Sequence, residues 1–385
     1  MPITSTDALN SLCERLSKAE YVTVDTEFLR DNTYYSKLCL IQVADDEGAH
    51  AIDPLAEDID LTAFFDLMKN TGVLKVFHAC RQDIEIFYNL MDGALPEPIF
   101  DTQIAAMVCG FGDSVGYETL VNKIARAQLD KTARYTDWSK RPLSEAQYNY
   151  ALGDVTHLRK IYMKLKSELE KTGRTEWVAE ETKYLQDPTL YVTEPDDAWK
   201  RLKVRTNKPR FLGLLTKVAA WREKEAIRRD LPRNRIAKDE TILEVCAHPP
   251  KDETGLERVR GLPSGFSRSR AGKSLLAAIE EGMAIPDDDL PKIERTKPRP
   301  ATPPMADLLK VLLKIKSQET NVAPRMIANS QELEALAAQP SADSKIMQGW
   351  RKTIFGDDAQ KLIQGTLALT ANNGDIEVVE LMDDE

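Results

Sequence analysis

Hydrophobic and polar positions in the first half of the chain switch repeatedly between a period of two and a helical period. Tyr21-Val-Thr-Val-Asp-Thr-Glu-Phe28 is β-branched and aromatic, which predicts a strand. Leu38-Cys-Leu-Ile-Gln-Val-Ala44 and His50-Ala-Ile-Asp53 follow closely, across polar turns such as Asp45-Asp-Glu-Gly48. Connections that short leave no room for crossover helices, so the three strands are expected as an antiparallel meander. A helical stretch near 61–70 precedes a fourth strand at 73–78. A helix is expected from about Gln82 to Met91, then a short strand at Ile99-Phe100 that enters another helix. Residues 144–170 predict a long helix, capped by Ser144 with Gln147 three residues on.

After Asp187-Pro188 the strand signals mostly stop. Residues 209–284 read as short amphipathic helices broken by Pro232, Pro249-Pro250 and Gly261-Leu-Pro263. Residues 285–304 carry Pro286, Pro291, Pro298, Pro300, Pro303 and Pro304 among charges, the composition of a semi-rigid linker. Beyond it, 305–316 and later segments are helical again, and 376–382 is apolar enough to pack or pair. The expected division is 1–190, 208–285, a linker at 286–304, and 305–385. It combines a mixed α/β unit with two small all-α units.

Composition changes this picture only when it is resolved along the chain. Among 385 residues, 42% are apolar and 30% charged, which is globular and not disordered. A net charge of −10 argues at first against a nucleic-acid enzyme. By segment, however, residues 1–199 carry −14, residues 200–273 carry +11 and residues 274–385 carry −7. Five scattered cysteines without a Cys-x-x-Cys pair, and four histidines, fit reduced thiols better than a disulfide framework or a zinc site. With no export signal and no apolar stretch of about 18 residues, a cytoplasmic protein with no membrane association is expected.

Candidate chemistry lies in carboxylates. Val22 and Val24 fall on one face of the first strand, Asp25 and Glu27 on the other. Either this is a solvated acidic face, or the two acids are held together by cations. Asp83 falls in the first turn of its helix, where an acid also simply favours the helix dipole. Tyr150 and Asp154, at i and i+4, share one helix face. Gly153 beside them costs a helix about 1 kcal/mol relative to Ala, and a missing side chain there admits a ligand or a second backbone. Trp138, Tyr148 and Tyr150 also suit a core.

Taken together, these positions resemble the four-acid-plus-tyrosine signature of DEDDy 3′–5′ exonucleases. Val24-Asp-Thr-Glu-Phe28, His78-Ala followed by Asp83, Phe100-Asp-Thr-Gln103, and Asp137-Trp-Ser-Lys-Arg-Pro-Leu143 leading to Tyr150 and Asp154 are similar to the ribonuclease D family in order and spacing over about 20–170. The resemblance implies a ribonuclease H-like fold and a two-metal-ion hydrolysis that releases nucleoside 5′-monophosphates from RNA 3′ ends. By the same resemblance, Asp25, Glu27, Asp83 and Asp154 hold two divalent ions, Mg2+ or Mn2+, with Asp25 the favoured bridging ligand. Tyr150 orients the attacking water. Thr26 and Phe28 neighbour these acids as candidate contacts to the terminal nucleotide, Phe28 being equally suited to the core. His78 is a candidate substrate contact or a hydrogen-bonded structural histidine.

The pattern Leu214-Leu215, Trp221-Arg222, Ala226, Pro232 and Leu256 to Gly261 resembles the HRDC helical domain, and its excess of +11 suits phosphate contacts. Residues 305–370, with Gly349-Trp-Arg351 and Phe355-Gly356, look like a second, divergent copy that closes the molecule around its substrate. The expectation is a monomeric exoribonuclease that trims single-stranded 3′ ends of transfer-RNA precursors and other stable RNAs. Two rivals are a proofreading-type DNA exonuclease and a non-catalytic RNA-binding adapter.

Overall fold

The computed structural model describes residues 1–130, 132–134, 136–292, 304–339 and 343–381. A first helix, α1 (Thr6–Leu16), leads into β1 (Tyr21–Leu29), β2 (Lys37–Ala44) and β3 (Ala49–Ile52). Then come α2 (Thr62–Lys69), β4 (Leu74–Phe77), α3 (Arg81–Leu90), β5 (Ile99–Asp101) and α4 (Thr102–Val108). The strand order is β3-β2-β1-β4-β5. β1 and β2, and β2 and β3, pair antiparallel as the short turns require; β1–β4 and β4–β5 pair parallel, with α2 and α3 making the crossovers.

Central position explains the composition of β1. Val22 and Val24 are buried in the core, while Asp25 and Glu27 stand half-buried on the other face. The β1–β2 register shifts between Glu27 and Phe28, a bulge of the kind that re-aims side chains beside active sites. A one-turn α5 (Tyr117–Leu120) precedes the long α6 (Glu145–Thr172), whose N-terminus is closed by a capping box between Ser144 and Gln147. Arg141 anchors the approach to α6 by a bidentate pair with Asp53 and bonds to the Cys39 and Trp138 carbonyls. α6 lies across the sheet, and the Thr23 hydroxyl of β1 donates to the Val155 carbonyl at 2.9 Å.

α7 (Thr175–Thr182) ends the α/β unit, and α8 (Pro209–Arg229), 21 residues long, opens a helical unit with its own apolar cluster from Ala198 to Ile279. Its breaks fall at Asp230 (φ 47°), after Ala247 and at Gly261 (φ 86°), close to the expected proline and glycine positions. Part of the proline-rich stretch is packed: Leu290 is buried and sits where a Cβ on Gly213 would lie. Residues 293–303 of the expected linker lie outside the described residues.

The last region is not purely helical. After helices between Pro304 and Gln364 it ends in a hairpin, β6 (Leu367–Asn372) and β7 (Asp375–Glu380). Asn373 and Gly374 both have positive φ, the two-residue turn that an Asn-Gly pair favours. Leu309, Leu312, Phe355 and Leu367 belong to the same apolar cluster as Leu9, Ile84 and Leu165, so this region shares the core of the α/β unit.

Candidate active site

Three elements deliver the acids to one place. β1 carries Asp25 and Glu27, the first turn of α3 carries Asp83, and α6 carries Tyr150 and Asp154. The junction that aims Asp83 is built by Asp101. Its carboxylate accepts from the Ala79, Cys80 and Gln103 amides at 3.0, 2.9 and 2.7 Å, which holds Ala79 at φ 56° and caps α4. Asp101 and Thr102, in a motif with no role read from sequence, thus set the turn from β4 into α3.

Every acid of the group is pushed toward its protonated form. Burial, then Asp154, raises Asp25 to about 8. Burial, then Asp25, Asp154 and Asp83, raises Glu27 to about 10, with Arg134 opposing. Burial and Asp25 raise Asp83 to about 8, against a hydrogen bond from Thr26. Burial raises Asp154 to about 7, opposed by its hydrogen bond with Tyr150 and by Arg134. Beyond desolvation, Asp25, Glu27 and Asp83 are raised further by repulsion from neighbouring carboxylates.

That pattern tests the group against a metal. Among the described residues no three His, Cys, Asp or Glu side chains stand in a ready-made coordination cage. The donor chemistry nevertheless fits hard divalent ions: four carboxylates, no nitrogen or sulfur donor, and a buried Asp154 Oδ1 with no hydrogen-bond partner among the described residues. Cation charge is what would let all four ionise together.

A pocket of about 270 Å³ opens on the cluster, lined by Asp25, Tyr150, Asp154, His78, Tyr117 and Arg134. The His78 tautomer follows from its partners. Thr102 donates its hydroxyl to the Phe77 carbonyl at 2.9 Å, so it must accept from His78 Nδ1, 3.0 Å away. Burial, against an opposing Asp101, lowers the imidazole pKa and keeps the ring neutral. Nε2 is therefore an acceptor, buried and without a partner among the described residues.

The other expected residues divide. Thr26 spends its hydroxyl on Asp83, and Phe28 packs against the main core. Trp138 is buried, 6.1 Å from the Tyr150 ring. A Cβ at Gly153 would meet nothing within 4 Å; the position faces an open cavity shared with Tyr150 and His157, not a second backbone. Sequence reading missed Tyr117, whose hydroxyl donates to the Asp154 carbonyl, and Arg134. No local signal marks either, because both reach the site on the irregular stretch between α4 and α6.

Comparison with known proteins gives the family and the fold. Residues 1–170 match the 3′–5′ exonuclease family and residues 211–279 the HRDC domain. Proteins named ribonuclease D from Granulibacter bethesdensis and Acidiphilium cryptum are 47% and 49% identical, over 98% of this chain and 96% and 97% of theirs. The crystal structure of Escherichia coli RNase D, an exoribonuclease involved in structured RNA processing, superposes with a TM-score of 0.80 at 31% identity, covering 95% of this chain and 98% of that one.

Proposed function

The chain belongs to the ribonuclease D family and is a 3′–5′ exoribonuclease; on that premise we propose that Asp25, Glu27, Asp83 and Asp154 hold two divalent ions, Mg2+ or Mn2+, at which RNA is shortened from its 3′ end. Enzymes of this exonuclease fold are metal-dependent. The carrying observation is the convergence of four carboxylates from three separate elements, each raised by burial and three of them by their neighbours as well. When bound, the ions supply the charge that ionises these acids, polarises the phosphate and acidifies water.

The chain's own groups do the positioning. Burial, followed by Asp154, Glu27 and Asp25, raises the Tyr150 phenol, so it stays protonated. Donating to Asp154, its oxygen keeps a lone pair that accepts from the attacking water and turns that water toward phosphorus. Thr26 fixes the Asp83 carboxylate, and Tyr117 fixes α6 at Asp154. His78 Nε2 accepts a hydroxyl of the terminal ribose.

In this reading residues 1–190 carry the chemistry, and the basic residues 208–285 hold the RNA strand. The enzyme works as a cytoplasmic monomer on transfer-RNA precursors and other stable RNAs. No helix among the described residues is long and apolar enough to cross a membrane. RNA labelled at its 5′ end and incubated with Mg2+ should shorten one nucleotide at a time, releasing 5′-monophosphates, and chelator should stop it. Undiminished shortening in excess chelator, or internal cleavage, would overturn the assignment.

A further inference from the structure

A second cleft, of about 670 Å³, separates the sheet from the first helical unit. Arg30 and Tyr35 of the β1–β2 turn, Arg81 and Tyr88 of α3, and Arg201 and Arg233 from the helical side line it. Four arginines there, Arg30 and Arg81 from the acidic first 199 residues and Arg201 and Arg233 from the basic segment 200–273, face two acids, Glu85 and Glu194.

Those cations are not equally engaged. Arg233 is bidentate to Glu223 and lies 4.8 Å over the Tyr34 ring, so it is structural. Arg201 donates to Thr193 at 2.9 Å. Arg30 reaches Glu85 only at 3.4 Å and is 48% exposed. The Arg81 side chain makes no hydrogen bond or ion pair among the described residues, and Tyr35 leaves 43% of its surface in solvent. Loosely held guanidinium groups beside an exposed aromatic ring are what a single strand needs, one binding phosphate and the other a base face.

The cleft is also preformed, and its walls include α3, which carries Asp83, and the turn that follows the strand of Asp25 and Glu27. The Tyr34 and Tyr35 amides donate to Asp230 Oδ1 at 3.0 and 3.2 Å, Tyr34 donates to Glu223, and Arg235 donates to Asn32 at 2.7 Å. Arg81 shares the first turn of α3 with Asp83 but lies on the outer face with Glu85 and Tyr88, and Arg30 follows Glu27 by three residues, about 10 Å along the chain.

We propose that this cleft binds the RNA strand on the 5′ side of the nucleotide being removed, Arg30 and Arg81 taking backbone phosphates and Tyr35 stacking a base. The proposal rests on the exoribonuclease reading above.

The test uses the full chain, with fluorescence anisotropy on a labelled 12-nucleotide RNA in chelator and trimming rates in Mg2+. R30A/R81A should bind the 12-mer on the order of tenfold more weakly at 0.1 M salt. Its slope of log affinity against log salt should shrink by about 1.4, two phosphates at about 0.7 each. Y35A should also weaken binding, R30K/R81K should restore most of the loss, and hydrolysis of the p-nitrophenyl ester of uridine 5′-monophosphate, which has no nucleotide on the 5′ side, should be unchanged in all of them. An unchanged 12-mer affinity and KM in R30A/R81A, with wild-type thermal stability, would overturn the cleft assignment alone. Equal loss on that ester and on the 12-mer would also overturn it. If the wild-type chain does not shorten the 12-mer, the exoribonuclease reading is what fails.

Discussion

The indole of Trp177 stacks on that of Trp350, ring centroids 4.7 Å apart and planes within 11° of parallel. Beside them the buried Glu181 carboxylate pairs bidentately with Arg351 and accepts from Lys345 and the Trp350 indole at 3.3 Å. Behind this contact the Ala323 amide donates to the Met107 carbonyl at 2.9 Å, and Gly110 lies where a Cβ would strike the Asn321 backbone. The last region is thereby a fixed wall of the exonuclease unit. Replacing Arg351 with Met leaves a buried carboxylate with only Lys345 and the Trp350 indole, which should cost about 3 kcal/mol in urea unfolding. A loss below about 1 kcal/mol would show that the pair does not hold the regions together.

The same pair sets an acid limit. Burial alone would raise Glu181, but the Arg351 hydrogen bond and charge, with Lys345, outweigh it and hold the carboxyl below its ordinary value. A carboxyl depressed in the folded state contributes its full stability above the unfolded pKa of about 4.3 and loses it as pH falls through the lower folded value. Stability attributable to the pair should therefore be flat from pH 7 to about 5 and drop below about 4, followed by tryptophan fluorescence. In R351M the drop below about 4 should shrink, because Glu181 keeps only Lys345 and the Trp350 indole to hold its charge.

His78 offers a test of sugar recognition. Asn in its place removes the Nε2 acceptor from the pocket. Wild type should prefer an RNA ending in a full ribose over one lacking a terminal hydroxyl, and H78N should lose most of that preference, about tenfold in kcat/KM. Equal discrimination by both would remove His78 from substrate recognition.

Gly153 separates helix stability from function. Alanine meets no atom within 4 Å and favours the helix by about 1 kcal/mol, so G153A should melt higher. Its methyl group enters the open cavity beside Tyr150, and trimming should slow. Higher stability with unchanged trimming would make the glycine incidental.

Much of this was legible because the signals are local. The period-two run around Val22, Val24, Asp25 and Glu27 gave a strand with one acidic face, and Ser144 with Gln147 gave the start of α6. Other signals were present but not read as elements, although 376–382 was expected to pack or pair and does so as β7. Leu9, Leu12, Cys13 and Leu16 mark α1 by helical spacing, and Asn373-Gly374 marks the terminal hairpin. The docking of Trp350 on Trp177 was not legible, since the partners lie far apart and each looks like an ordinary core aromatic. Tyr117 and Arg134 were hidden for the same reason: only the folded path of the stretch between α4 and α6 brings them to Asp154.

The most direct measurement compares wild type with Asp154→Asn and Asp25→Asn, which keep side-chain size and remove charge from the cluster. Each should lower the single-turnover trimming rate in Mg2+ by about a thousandfold, roughly 4 kcal/mol of barrier, while binding RNA with near wild-type affinity. Trimming within tenfold of wild type by either variant would contradict the assignment of these carboxylates as the metal-holding centre.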